Sequence, residues 1–411
     1  MKFKKTKIGL VPKDWEVKKL GEIGKLVGGG TPSTKNAEYW RGDIPWISSS
    51  DLIENSITYI NIHKFINEEA IKQSATKLIP KNSLLIVSRV GVGKIAINKT
   101  KLCTSQDFQS FIPQIYINIT YLAYYLHKNI KQLMRLNQGT SIKGITKKDI
   151  ENFLIPIPLL KEQQKIAKIL LTCDEMIEKQ EKLIKEKEKL KKGLMQKLLN
   201  VELRVERGEL KKLPKVRFKE FSGEWVEKKL GELVEEYTKK NDEEYQPVAI
   251  GIYGIRKRVD IFSKSLTNNI RVNKVIFKNT LTFGLGTKQI VFGILLDNQY
   301  YSVSPAYKTF KIFSKQIVPS FLNYLLILEN KKLSSKYMII SSRQGKSVNI
   351  KELLQHKFII PPTLKEQEKI ADVLSTLDKE IDLLKLELEE YKKLKKSLMQ
   401  KLLTGKVRVR I

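Results

Sequence analysis

The side chains in this 411-residue sequence that could do chemistry sit in glycine-hinged basic loops. In Arg89-Val90-Gly91-Val92-Gly93-Lys94, two glycines remove the Cβ atoms that would hold a polyanion's backbone away, and two cations flank the turn. Gln138-Gly139-Thr140-Ser141-Ile142-Lys143 has a partner in Arg343-Gln344-Gly345-Lys346-Ser347. Such amide, hydroxyl and basic side chains suit both phosphate contact and hydrogen bonding to base edges, and Arg343 is of the type that reads guanine O6 and N7. Arg256-Lys257-Arg258 is the densest basic cluster of the second half and reads as a phosphate anchor. Phe283-Gly284-Leu285-Gly286-Thr287-Lys288 adds another glycine turn ending in a cation. Each loop also has a plainer reading, as a surface turn with solvated lysines.

Catalytic constellations are missing. His63, His127 and His356 are isolated from one another and from any Ser/His/Asp or metal-ligand spacing. Gly93-Lys94 is followed by Ile95, and Gly345-Lys346-Ser347 lacks the upstream glycine of a phosphate-binding loop, so ATP hydrolysis is not expected. No Asn-Pro-Pro-aromatic run of an adenine methyltransferase occurs, and acid-rich stretches such as Glu186-Lys187-Glu188 read as solvated helix faces. Cys103 and Cys173 have no paired spacing, which argues against a disulfide framework and a zinc cage. The expectation is a chain that is not an enzyme, with no cofactor or metal of its own.

The loops must be positioned by something, and an internal repeat says what. Residues 158–205 align without a gap, at an offset of 204, with residues 362–409: PLLKEQQKIAKIL against PTLKEQEKIADVL at one end, KLKKGLMQKLL against KLKKSLMQKLL at the other. The entrances match as well, Asp14-Trp15-Glu16-Val17-Lys18-Lys19-Leu20-Gly21-Glu22 finding its echo at Glu224 to Glu232. The chain therefore reads as globule, long helix, globule, long helix. Boundaries follow at 1–157, 158–205, 206–361 and 362–411.

The formal net charge is +32. Residues 1–157 carry 24 basic and 12 acidic side chains and residues 206–361 carry 28 and 15, against 12 and 8 in 158–205 and 12 and 9 in 362–411. Most of the excess lies in the two globules, as it would if each faced a polyphosphate backbone; a general richness in lysine is the alternative. No apolar signal segment and no run approaching a membrane span is present, so a cytoplasmic location is expected.

Apolar residues four and three apart mark a coiled-coil seam in each repeat: Ile370, Leu374, Leu377, Ile381, Leu384, Leu388, Tyr391, Leu398 and Leu402 in the second, and Ile166, Leu170, Ile177, Ile184, Leu194 and Leu198, with Cys173, in the first. Lys395 interrupts the second seam, and Gln180, Lys187 and Lys191 interrupt the first. Thr363 with Glu366 forms a capping box and Gly405 supplies a stop. Forty helical residues make a rod of about 60 Å that hardly stabilises itself. The simplest arrangement is an antiparallel helix pair with the globules at opposite ends, related by a pseudo-twofold axis. Two separate surface helices, or a coil between molecules, is the competing one.

Within the globules, Leu84–Ser88, Ile95–Ile97 and Phe153–Ile155 read as strands in the first, and Val275–Phe277, Gln289–Phe292 and Phe358–Ile360 in the second. Tyr121–Leu126 and Phe321–Leu326 read as matching helices, giving α/β heads. Trp46, following Pro45, is expected in the core rather than at a groove.

Taken together, the openings GLVPKDWEVKKLGEI and PKVRFKEFSGEWVEKKLGEL, the run Ile44-Pro45-Trp46-Ile47-Ser48-Ser49-Ser50-Asp51-Leu52, the Ser88–Lys94 turn and the Lys-Glu-Gln entrance to each helix resemble the specificity subunit of type I restriction-modification systems. The resemblance spans nearly the whole chain. It implies two target-recognition domains, at 1–157 and 206–361, each reading one half of a bipartite double-stranded DNA target. It further implies two long helices that set the spacer and dock methyltransferase (modification) subunits, with restriction/translocase subunits joined through the complex. S-adenosylmethionine, ATP and Mg would then belong to those partners. The second head departs from the first, since SRVGVGK is replaced by FGLGTK and the SSSDL run has no clear counterpart. A non-catalytic coiled-coil DNA-bridging or regulatory protein without a methyltransferase partner is the alternative function.

Overall fold

The computed structural model describes residues 2–54, 56–114, 116–135, 144–206, 208–251, 254–258, 269–341 and 345–410. It divides into two compact units, residues 1–181 with 387–411 and residues 182–386. The division falls inside both long helices, Leu160–Leu199 and Leu364–Leu402, so that each unit holds one head and a segment of each helix.

In the first unit a four-stranded antiparallel sheet runs in the order Gly24–Gly28, Phe108–Pro113, Leu84–Val87, Ile95–Ile97. Its inner strand Leu84–Val87 is apolar on both faces, and both faces are covered. Leu26, Leu84, Ile86 and Phe111 pack with Tyr121, Leu122 and Leu126 of the head helix Ile119–Arg135. Leu85, Val87 and Phe108 pack on the opposite side with Ile47, Ile79 and Leu102 of a second sheet. That second sheet contains the one parallel ladder among the described residues, between Ile44–Ile47 and Leu102–Thr104. Trp46 is buried within it and donates its indole N–H to the Gly30 carbonyl at 3.0 Å.

The second unit repeats the frame. Val234–Glu236, Lys308–Ile312, Thr280–Leu285 and Ile290–Ile294 form an antiparallel sheet in the same order, packed against the head helix Pro319–Tyr337 through Leu281, Phe283, Phe310, Phe321, Leu322 and Leu325. Each head closes with a two-stranded ladder joining its opening strand to the strand before the long helix. Glu16–Lys19 pairs with Leu154–Ile157, and Val226–Lys229 with Lys357–Ile360.

Two tryptophans explain why the entrances match. Trp15 and Trp225 are buried and donate their indole N–H groups to Glu162 at 3.0 Å and to Glu366 at 3.2 Å. Each glutamate stands in the first turn of a long helix, where carboxylates are favoured. The capping box expected at Thr363 and Glu366 is therefore only half made. The Thr363 hydroxyl accepts from the Glu366 N–H at 3.3 Å, whereas the Glu366 carboxylate serves Trp225 and Arg217. Gly405 has φ +68° just beyond the second helix, and a Cβ there would run into Pro12, so glycine is required.

Candidate nucleic-acid interface

In the first head, Gly91 (φ +78°) and Gly93 (φ +104°) turn the chain between strands Leu84–Val87 and Ile95–Ile97. The turn closes through the Val87 N–H to the Lys94 carbonyl at 3.0 Å and the Gly93 N–H to the Val87 carbonyl at 3.3 Å. Arg89 is exposed; Lys94 is half-buried and donates to the Ser49 carbonyl at 3.1 Å, tying the turn to the Ser48–Asp51 segment. Ser48 is itself spent locally, its N–H and hydroxyl both donating to Asp51, at 2.7 and 2.9 Å. The chain returns to this turn just before the long helix, since the Ile145 N–H donates to the Ser88 carbonyl at 2.7 Å and Gly144 lies beside Arg89. Gln138, Gly139, Thr140, Ser141 and Lys143 lie outside the described residues.

The second head makes the same juxtaposition by other means. The Gly286 N–H donates to the Gln289 carbonyl at 2.9 Å to close the turn carrying Lys288. Strands Met338–Ser341 and Gly345–Val348 pair antiparallel, and the Lys346 ammonium donates to the Thr287 carbonyl in that turn. Lys288, Lys346 and Ser347 are exposed; Gly345 begins the second strand, and Arg343 and Gln344 lie outside the described residues. Arg256 and Lys257 are exposed on strand Gly254–Lys257, which pairs with Val248–Gly251, and the half-buried Arg258 follows, its N–H donating to the Pro247 carbonyl at 3.2 Å. In both heads, then, a glycine turn with a basic side chain is held against the segment that precedes the long helix.

The long helices pair antiparallel within each unit. In the first, Asp174 meets Lys395 and Glu181 meets Lys392 at 3.4 Å; in the second, Lys187 meets Glu380 at 2.6 Å and Lys191 meets Asp378. Ile166, Leu170, Cys173, Leu388 and Leu402 are buried in the first unit, where Ile177, Tyr391 and Leu398 are half-buried. Ile184, Leu198, Ile370, Leu374 and Ile381 are buried in the second, with Leu194, Leu377 and Leu384 half-buried. Every polar seam residue has an acidic partner, Gln180 donating to Glu387 at 2.9 Å. One pair swaps sign between copies: Glu181–Lys392 occupies the repeat positions of Lys385–Glu188.

Sequence reasoning passed over the residues that fasten each head to its helices. Gln163 accepts from the Asn118 N–H at 2.8 Å and donates to the Pro158 carbonyl at 2.8 Å; Gln367 does the same with the Val318 N–H and the Pro361 carbonyl, at 2.9 and 3.1 Å. Tyr124 donates to Asp174 at 2.5 Å and Tyr324 to Asp378 at 2.8 Å. Burial first, and the neighbouring carboxylate with it, hold both phenols well above their ordinary pKa, so they remain donors. The signal was available in the repeat, because Glu162, Gln163, Asp174 and Lys191 all recur unchanged 204 residues on.

Two mixed α and β heads, each bearing a basic glycine turn and each running into a long helix of 40 or 39 residues, define a tandem-repeat chain that presents two similar basic surfaces. Residues 12–188 and 222–393 match the family model of the type I restriction modification DNA specificity domain, and the chain belongs to that family. It is 29% identical over 450 residues to the type I restriction enzyme MjaIX specificity subunit of Methanocaldococcus jannaschii, covering 99% of this chain and 96% of that one. It is also 38% identical over 162 residues to the EcoR124I/EcoR124II specificity subunit of Escherichia coli, covering 38% and 40% of the two chains. The fold is similar to the crystal structure of a type I restriction-modification S subunit from M. genitalium, with TM-score 0.59, 16% identity and coverage of 95% and 96%. A structure from work on type I complex assembly and conformational transition gives TM-score 0.58 at 15% identity, covering 97% and 99%. The chain is thus a DNA-specificity subunit, the component of a restriction-modification complex that recognises DNA rather than the one that modifies or cuts it. No helix among the described residues is long and apolar enough to cross a membrane.

Proposed function

We propose that residues 1–157 and 206–361 are target-recognition domains that each read one half of a bipartite DNA sequence, and that residues 158–205 and 362–411 form the spacer between the half-sites. The observation that carries this reading is the repeated approach of a basic glycine turn to the segment before each long helix, around Arg89 and Gly144 in one head and around Lys288 and Lys346 in the other. Glycine turns let backbone approach phosphate, and the neighbouring exposed cations supply the counter-charge. Arg256, Lys257 and Arg258 would anchor phosphate, and Gln138–Lys143 with Arg343 and Gln344 would reach base edges.

Modification subunits would dock on the helices. Leu183 and Leu190, 37% and 49% exposed and seven residues apart, form an apolar pair on the first long helix within the second unit. Beside it in the second unit a groove of about 470 Å³ is lined by Leu194, Val373, Thr376 and Leu377 with Lys369 and Asp372. An amphipathic helix of a partner fits such a surface. Methyl transfer from S-adenosylmethionine and ATP- and Mg-dependent cleavage would reside in those modification and restriction subunits, working on DNA in the cytoplasm.

The test is a genome-wide methylation map of cells expressing the chain, set against an isogenic deletion. Loss of adenine methylation at one split motif in the deletion supports the reading and reveals both half-sites. An unchanged map, together with failure of a tagged chain to retain a methyltransferase subunit, would instead favour a DNA-bridging role without such a partner.

A further inference from the structure

Each unit contains the same three-residue joint. In the first, the Tyr124 hydroxyl donates to Asp174 at 2.5 Å, Lys395 pairs with the same carboxylate, and the Lys395 ammonium stands 5.5 Å from the Tyr124 ring centroid. In the second, Tyr324 donates to Asp378 at 2.8 Å, Lys191 pairs with Asp378, and its ammonium stands 5.3 Å from the Tyr324 ring centroid. Three elements meet at each joint: the tyrosine comes from the head helix, the aspartate from the long helix that follows that head, and the lysine from the other long helix. Both tyrosines are buried, so their hydroxyls have few alternative partners to the aspartate.

The joint is more than a generic ion pair. The neighbouring Glu181–Lys392 pair has its charges reversed in the other copy, whereas tyrosine, aspartate and lysine keep their identities at both places. Each head helix is also held at its start, by Gln163 on the Asn118 N–H and by Gln367 on the Val318 N–H. The tyrosine lies six residues along, about 9 Å farther down the helix axis. One fastening leaves a helix free to pivot; two fix the direction of its axis.

We propose that the joints Tyr124–Asp174–Lys395 and Tyr324–Asp378–Lys191 set the tilt of each head on its helix segments, and that they thereby restrict the permitted spacing between the two half-sites without touching DNA. These are positioning residues, and the inference rests on the bipartite reading above. The test uses the full chain with its modification subunits. Tyr124→Phe with Tyr324→Phe keeps the rings and their packing and removes only the hydroxyls; Lys191→Met with Lys395→Met removes the cations instead. Methylation is then mapped, and its rate measured on duplexes that keep both half-sites and vary the spacer by one or two base pairs. The expected result is unchanged half-site bases with about a tenfold weaker preference for the native spacer, the scale of the two interactions lost in each double variant. Undiminished spacer preference in both double variants would overturn the inference, as would a loss equal at all spacers and proportional to lowered thermal stability. A wild-type map with no split motif would instead sink the bipartite reading, and the inference with it.

Discussion

The guanidinium of Arg217 forks onto the carboxylate of Glu366, with Nε on Oε1 and Nη2 on Oε2, both at 2.8 Å. Trp225 donates to the same carboxylate, and Glu366 is only 1% exposed. The first unit has the same arrangement around Glu162, to which Arg408 donates at 2.5 and 2.7 Å and Trp15 at 3.0 Å. The repeat aligns Arg408 with Arg204, yet Arg204 sits in the strand pair Val201–Glu206 and Glu209–Pro214, donating to the Lys215 carbonyl and pairing with Glu202, and Arg217 fills the equivalent place.

Glu366→Gln should destabilise the second unit strongly. It leaves the Arg217 charge, whose side chain is 15% exposed, without its counter-ion. Breaking one partner of a buried pair costs about 3–5 kcal/mol. Thermal unfolding should show a lowered transition, and Glu162→Gln a smaller one, because Arg408 keeps Asp14 as a counter-ion; no shift in Glu366→Gln would mean that Arg217 finds another acceptor.

Acid should weaken the clasp between the chain's two ends in the first unit. Hydrogen bonds from Arg408 hold the Asp14 carboxyl below its ordinary 3.8. A depressed carboxylate contributes stability that is complete above its unfolded pKa and is lost as pH falls through the folded one. The stability difference between wild type and Asp14→Asn should therefore be constant above about pH 5 and shrink below about pH 4. A difference independent of pH would remove the assignment.

DNA affinity should fall steeply with salt, because neutralising several phosphates releases as many counterions. Binding isotherms between about 50 and 200 mM salt on target and non-target duplexes give the slope. A flat response would detach the +32 charge from DNA binding.

Lys346→Ala and Lys143→Ala should each weaken binding to the half-site read by that head. Lys346 has a second task, holding the Thr287 carbonyl, so its loss should also free the turn bearing Lys288. A phosphate contact predicts a salt slope lower by about 1 and similar loss on all sequences. Loss confined to one base pair of the half-site would identify base readout, and no loss in either head would make the loops plain turns.

Periodicity and repetition are local properties, so the sequence by itself determined the two long helices, their seam register, the entrances that match and the concentration of positive charge in the heads. Lys187, Lys191 and Lys395 looked like faults in that seam, because the acids that neutralise them, Glu380, Asp378 and Asp174, lie on the opposing helix and become neighbours only when the helices pair antiparallel. Glu366 announced itself as a cap, but the fold brought Trp225 and Arg217 to its carboxylate, and a charged, bidentate partner outcompetes a local backbone N–H. The turn at Lys288 and the strand at Lys346 are almost sixty residues apart and meet only across the second head. Tertiary structure decided which polar groups met, since those pairings depend on contacts between elements far apart in the chain, where burial makes each missing partner costly.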